Sequence, residues 1–191
     1  MENRPPTEIT GPFTSEDRAY AIDILKTTQS AIHQSLEGLS DHQLSYKPSA
    51  ERWSITACVE HIALVESRLF KGVQLGMETP VNPEKRAEIS VSDVDVIKAM
   101  RSRKNARLAP AGTEPTGQFG DAAGALQAFD QLRDAIIDFS QNTQEDLRTH
   151  YFDNKIFGTI DIFQALLMIA NHSERHRKQI EEIKADAGFP Q

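Results

Sequence analysis

The chain has 191 residues, 28 acidic and 21 basic side chains and a formal net charge of -7, which excludes long-range attraction to nucleic acid or to an anionic membrane surface. That length sits near the prior for one domain, so 1–191 is expected to fold as a single unit. The lone cysteine, Cys58, permits no intrachain disulfide, and no apolar run approaches the ~20 residues that a membrane-spanning helix needs.

The N-terminus, MENRPPTEIT, lacks the basic-then-apolar pattern of a secretory leader, and the cytoplasm is the expected compartment. Residues 1–13 read as an extended arm ending at "GPF". Thr14 or Ser15 can then cap a first helix whose apolar positions Ile22, Leu25, Ile32, Leu36 and Leu39 recur at helical spacing, to about Leu39. A polar connection with Pro48 leads to a second helix. Ser54 is its N-cap, and Ile55, Cys58, Ile62, Val65 and Leu69 form its stripe. Residues 77–91, with Pro80 and Pro83, read as a loop, and a shorter extra helix is expected from Ser92 to Leu108. "APAGTEPTGQFG" is the clearest break. A third long helix follows with Leu126, Phe129, Leu132, Ile136 and Phe139 on one side. After "THYFDNKIFG" the last helix runs from beyond Gly158 to about Ala187, with a stripe of Ala165, Met168, Ile169, His172, His176, Gln179, Ile180 and Ile183. No strand pattern and no repeat stands out. The expected fold class is all-α, a four-helix bundle.

Within "NHSERHRKQI", His172 and His176 lie four residues apart. Four residues advance a helix by about 400°, leaving two imidazoles roughly 40° and ~6 Å apart on one face, able to converge on one ion. A catalytic zinc-type site takes three protein ligands and keeps one position open, so a third ligand must come from elsewhere. His61 is the best candidate, set by its own helix beside an apolar stripe. H-E-x-x-H is not met, because Ser173 follows the first histidine. His33 sits among polar residues, while His42 and His150 fall in connections; all three are expected to be solvated.

"WSITACVEHI" and "IFGTIDIFQALLMIANHSERHRKQI" together resemble the DinB-like (DinB/YfiT) metalloenzyme superfamily, and the likeness extends from the first helix through "LSDHQLSYKPSAERWS" to the end of the last. The resemblance implies an up-down-down-up bundle in which one histidine on helix two and an H-x-x-x-H pair on helix four surround a divalent metal. By matching motif these are His61, His172 and His176. Many members carry Glu four residues before the helix-two histidine. Ala57 stands there in this chain, removing either half of a capping box with Ser54 or an acid near the metal.

The metal implied is one divalent transition ion, zinc or nickel, with iron as an alternative, since imidazole suits all of these. Some relatives resemble enzymes that add a low-molecular-weight thiol such as bacillithiol, mycothiol or glutathione to an electrophile. The leading reading is therefore a metal-dependent, thiol-dependent S-transferase acting on a small molecule. The alternatives are a metal-dependent hydrolase and a non-catalytic metal- or ligand-binding stress-response module. A homodimer fits a small bundle of this family.

Bland readings stand beside the chemical ones. Cys58 can be a fourth ligand or reactive thiol, but packing as a small hydrophobe is its ordinary role. Gln179 can orient His176 or face solvent at the bundle end. Trp53 reads as a core plug. Glu174 and Arg175 are expected to point away from the ion. The run "RSRKNAR", with Arg101, Arg103, Lys104 and Arg107, can draw in an anionic cosubstrate or simply be a solvated face.

Overall fold

A computed structural model of the chain describes residues 11–104 and 109–191; most of the expected arm, and Arg107 with the end of the extra helix, lie outside them. The elements are α1 (Ser15–Leu36), α2 (Asp41–Ser45), α3 (Ile55–Met77), a 3-10 turn at Pro83–Glu88, α4 (Asp93–Arg101), α5 (Ala122–Asn142), β1 (Tyr151–Asn154), β2 (Gly158–Asp161) and α6 (Ile162–Lys184).

Capping explains most boundaries. Thr14 with Asp17, Ser40 with Gln43, Ser92 with Asp95 and Asp161 with Gln164 each form a reciprocal capping box. Ser54 accepts from the Ala57 N–H without a reciprocal acid, which is what Ala57 leaves of such a box. α2 was not expected; Ser40 and Gln43 were its visible signal. The extra helix is shorter than expected, because α4 stops at Arg101, where the Ser102 N–H bonds back to the Lys98 carbonyl.

α1, α3, α5 and α6 form the bundle, each of α1 and α3 packing on both α5 and α6. Cross-helix contacts give the directions. Arg18 meets the Ser140 carbonyl while His33 meets Asp130, so α1 and α5 are antiparallel. Glu66 meets Arg133 and Phe70 meets Phe139, so α3 and α5 are parallel. Phe13, just before α1, packs on Phe163, and Lys184 bonds the Ser35 carbonyl, so α1 and α6 are parallel. The topology is up-down-down-up.

The last connection corrects an expectation. Instead of running straight into helix, 151–161 makes an antiparallel hairpin with Tyr151 opposite Asp161 and Asn154 opposite Gly158. Asn154 Oδ1 accepts from the Ile156 and Phe157 N–H groups, and Gly158 takes φ 73°, a turn that L side chains resist. His150, expected in solvent, is buried just before this hairpin, with Glu145 4.0 Å away.

Two buried arginines hold the bundle. Arg133 of α5 reaches every bundle helix: Glu66 of α3, Ser173 Oγ of α6 at 2.7 Å, and the Leu25 carbonyl and Thr28 Oγ1 of α1 at 2.7 Å each. Ser173 also donates to Glu66 at 2.5 Å. This layer separates an apolar core around Leu25, Phe70, Phe163 and Leu166 from a second around Ile32, Cys58, Phe129 and Ile180. Arg148 pairs with Asp17, Asp93 and Asp161, and so ties together the first turns of α1, α4 and α6.

Replacing Arg133 with Met strands Glu66 in the core and is expected to cost about 3–5 kcal/mol of unfolding free energy by urea denaturation. The double variant R133M/E66L should regain most of that loss. A second effect depends on pH. Burial pushes the Asp161 carboxyl up to about 6 from its ordinary 3.8, Arg148 opposing the rise. Between those values the folded state holds a proton that the unfolded chain releases, so this group's contribution is full below 3.8 and is lost as pH rises through 6. From pH 7 to pH 5, wild type should gain about 1 kcal/mol relative to D161N in paired urea titrations.

Candidate metal centre

The antiparallel run of α3 against α6 sets His61 opposite His172 and His176. All three are buried, and their ligand-capable atoms lie within 4.8 Å of one another. Ring centroids are 4.5 Å apart for His172 and His176, 4.6 Å for His61 and His176, and 5.1 Å for His61 and His172.

Neighbours set two of the three tautomers. His61 Nδ1 lies 2.6 Å from the Thr113 carbonyl, which can only accept, so the ring donates from Nδ1 and leaves the Nε2 lone pair open. Gln179 Oε1 accepts from Arg103 Nη1 at 3.0 Å, and the guanidinium, having no acceptor, fixes the amide's orientation. The same oxygen lies 3.1 Å from His176 Nδ1, so that ring also donates from Nδ1. Glu182 steadies Arg103 with bonds of 2.9 and 2.6 Å. His172 Nδ1 is buried with no hydrogen-bond partner among the described residues, a costly state for a ring nitrogen that lacks a ligand.

Thr113 owes its place to a carboxylate that sequence reasoning passed over. Glu60 is buried, and accepts from the backbone N–H groups of Thr116 at 2.9 Å, Gly117 at 2.9 and 3.0 Å, and Gln118 at 3.1 Å. Gly117, at φ 81°, turns the loop around it. Glu60 thus pins the connection that carries the carbonyl holding His61.

Burial lowers the His61 pKa and puts those of His172 and His176 well below 6.5; neighbouring imidazoles add to the effect at His172 and His176, and the positive charge of Arg175 adds to it at all three. The rings are neutral at pH 7, the form that binds metal. Three neutral imidazoles, one with an orphaned nitrogen, fit a divalent transition ion.

The triad opens on a cavity of about 610 Å³ lined by Trp53, Val65, Met100, Arg103, Met168 and Arg175, among others. Two expectations change here. Trp53 packs against the histidines, 4.7 Å from the His61 ring and stacked 6.0 Å from that of His176, rather than only plugging the core. Arg175 lines the cavity instead of pointing away, because the α6 face bearing the histidines is wide enough to include it. Glu174 does turn outward, to Arg177. Cys58 lies in the apolar core and not in the cavity wall, its thiol pushed up to about 12 by burial. His33 and His42 stay at the surface.

A family model of the DinB superfamily matches residues 24–180. The chain belongs to the DinB superfamily. Its DinB bundle covers 98% of the chain in a superposition on YfiT from Bacillus subtilis, with a TM-score of 0.67, 16% identity and 94% of that chain covered. YfiT is described as a probable metal-dependent hydrolase with an unusual four-helix bundle topology. The uncharacterized protein YuaE of Bacillus subtilis (strain 168) is 27% identical over 149 residues, 78% of this chain and 88% of that one. No helix among the described residues is long and apolar enough to cross a membrane.

If the triad holds the ion, mass spectrometry on untagged protein should find about one transition metal per chain, lost in H61A, H172A and H176A. Q179A, which frees the His176 ring, should keep that stoichiometry while weakening affinity about 10–100-fold in competition with a chromophoric chelator.

Proposed function

We propose that this DinB protein is a metal-dependent enzyme that transfers a low-molecular-weight thiol to a small electrophile. The observation that carries the reading is the meeting of three buried neutral histidines with a cavity that is open above them and largely apolar along one wall. His61, His172 and His176 would hold the ion, zinc or nickel by ligand type. Such an ion, when bound, supplies the positive charge that keeps a thiol deprotonated near neutral pH.

The chain's own residues do the rest. Thr113 and Gln179 keep two imidazole lone pairs turned inward. Cys58 is sealed in the core with a raised pKa, so the reacting sulfur must be that of a cosubstrate. Val65, Met100 and Met168 give the electrophile an apolar bed, and Trp53 closes the side next to the rings. In the transfer, sulfur forms a bond to an electrophilic carbon, the leaving group departs with its electron pair, and the thiol proton passes to solvent.

A hydrolase is the second reading, supported by the likeness in fold to YfiT. No carboxylate is hydrogen-bonded to the triad among the described residues; of the two in the cavity wall, Glu182 is held by Arg103 and Glu51 accepts from Ser49, and the absence of a base bonded to the triad favours the thiol.

The two readings separate in one assay pair. Zinc- or nickel-loaded protein, offered glutathione or bacillithiol with 1-chloro-2,4-dinitrobenzene, should form the thioether faster than the uncatalysed mixture, and H172A should return the rate to background. Hydrolysis of 4-nitrophenyl acetate with no thiol effect would move the assignment to the second reading. Inactivity in both, with metal bound, would leave a binding module.

A further inference from the structure

We propose that the cavity selects a ligand bearing an anionic group, and that Arg175 recognises that group. The inference deepens the enzymatic reading of the site and rests on the cavity being where substrate binds.

Arg175 lies on α6 between His172 and His176 in sequence, is only 8% exposed, and forms part of the cavity wall. Its charge reaches all three imidazoles. A guanidinium there repels the cation that the imidazoles suit, since like charges at close range in a partly desolvated site oppose each other strongly. Position alone therefore works against metal binding. An anion seated between guanidinium and triad turns that repulsion into two attractions.

The wall as a whole leans the same way. Arg52, Arg103 and Arg175 face Glu51 and Glu182, three positive groups against two negative before any ion is counted. Glu182 is already engaged, 2.6 Å from Arg103 and 3.9 Å from Arg52. The formal charges of these five lining side chains sum to one positive, which an anionic ligand complements. Arg offers a planar fork that matches a carboxylate or similar oxyanion through paired hydrogen bonds. The rest of the lining describes the rest of the ligand. Val65, Met100, Pro110, Ile156 and Met168 are apolar, and the two methionines adapt to irregular shapes. The ligand class is a small amphiphilic oxyanion, with its charge toward the histidines and its apolar body along α4 and the hairpin tip.

Trp53 is the chain's single tryptophan and lies against the triad, so its fluorescence reports on the cavity directly. Benzoate and its neutral isostere benzamide would be titrated into metal-free and zinc-loaded protein. Benzoate is expected to bind at least tenfold more tightly than benzamide in both forms. In metal-free protein, R175Q should erase the preference and R175K, which keeps the charge but not the paired hydrogen bonds, should keep only part of it, with circular dichroism checking the fold of each. Equal binding of the two probes by wild type overturns the proposal without recourse to any variant. So does a preference that persists in folded R175Q. No turnover is read, so a failed thiol assay leaves the benzoate result standing, and equal probe binding leaves the thiol assay standing.

Discussion

The Arg133–Glu66 pair is the constraint on which the rest of the bundle depends. Both side chains are fully shielded from solvent, and removing two charges from water costs several kcal/mol per ion unless each is paired and hydrogen-bonded. Only one relative placement of the four helices satisfies this pair, because the guanidinium is shared among Glu66, Thr28, the Leu25 carbonyl and Ser173. Sliding α5 by one turn would carry Arg133 away from Glu66 and bury two unmatched charges. The polar layer therefore adds its own constraint on register to that of the apolar packing. Ser173 adjoins His172, and Glu66 follows His61 by five positions, so fixing that layer also fixes where the histidines meet.

At the other end Arg148 does a related task with the opposite balance. One cation faces Asp17, Asp93 and Asp161. Three acids around one base are costly to ionise together out of water: burial raises the Asp161 pKa, Asp93 adds to the rise, and Arg148 opposes it. What the arrangement secures is alignment of the first turns of α1, α4 and α6. Since α4 supplies Met100 to the cavity and leads into Arg103, this cluster also positions one wall over the triad.

Much of this architecture is legible in the chain. The four long helices follow from apolar positions at spacings of three and four, and the H-x-x-x-H pair from the same periodicity. Short elements escape such a reading: α2 and the hairpin have too few residues for a period to show, and only Ser40 with Gln43, and Asn154 with Gly158, mark them. Buried polar groups escape for another reason. Glu60, Arg133, Arg148, His150 and Arg175 look like surface residues, because a charge is tolerated inside only when its partner is there, and the partner lies 56 residues away for Glu60 and 67 for Arg133. No local window contains that information.

The same division separates the floor of the site from part of its walls. The floor of the site consists of histidines on two helices whose register is set by buried ion pairs, and neither can shift without stranding charge. Part of the walls comes from elsewhere. Thr113 and Pro110 lie in the connection before α5, Arg103 follows α4, and Ile156 sits at the hairpin tip. Connections accept substitution and insertion at little cost to the bundle. The superposition on YfiT, at 16% identity over nearly the whole chain, shows that the fold is shared. The reaction type should therefore follow from the floor and the choice of substrate from the walls. Val65, Met168, Gln179 and Arg175 line the cavity from the floor helices themselves, so the charge that Arg175 demands is tied to the histidine pair and not to the variable connections.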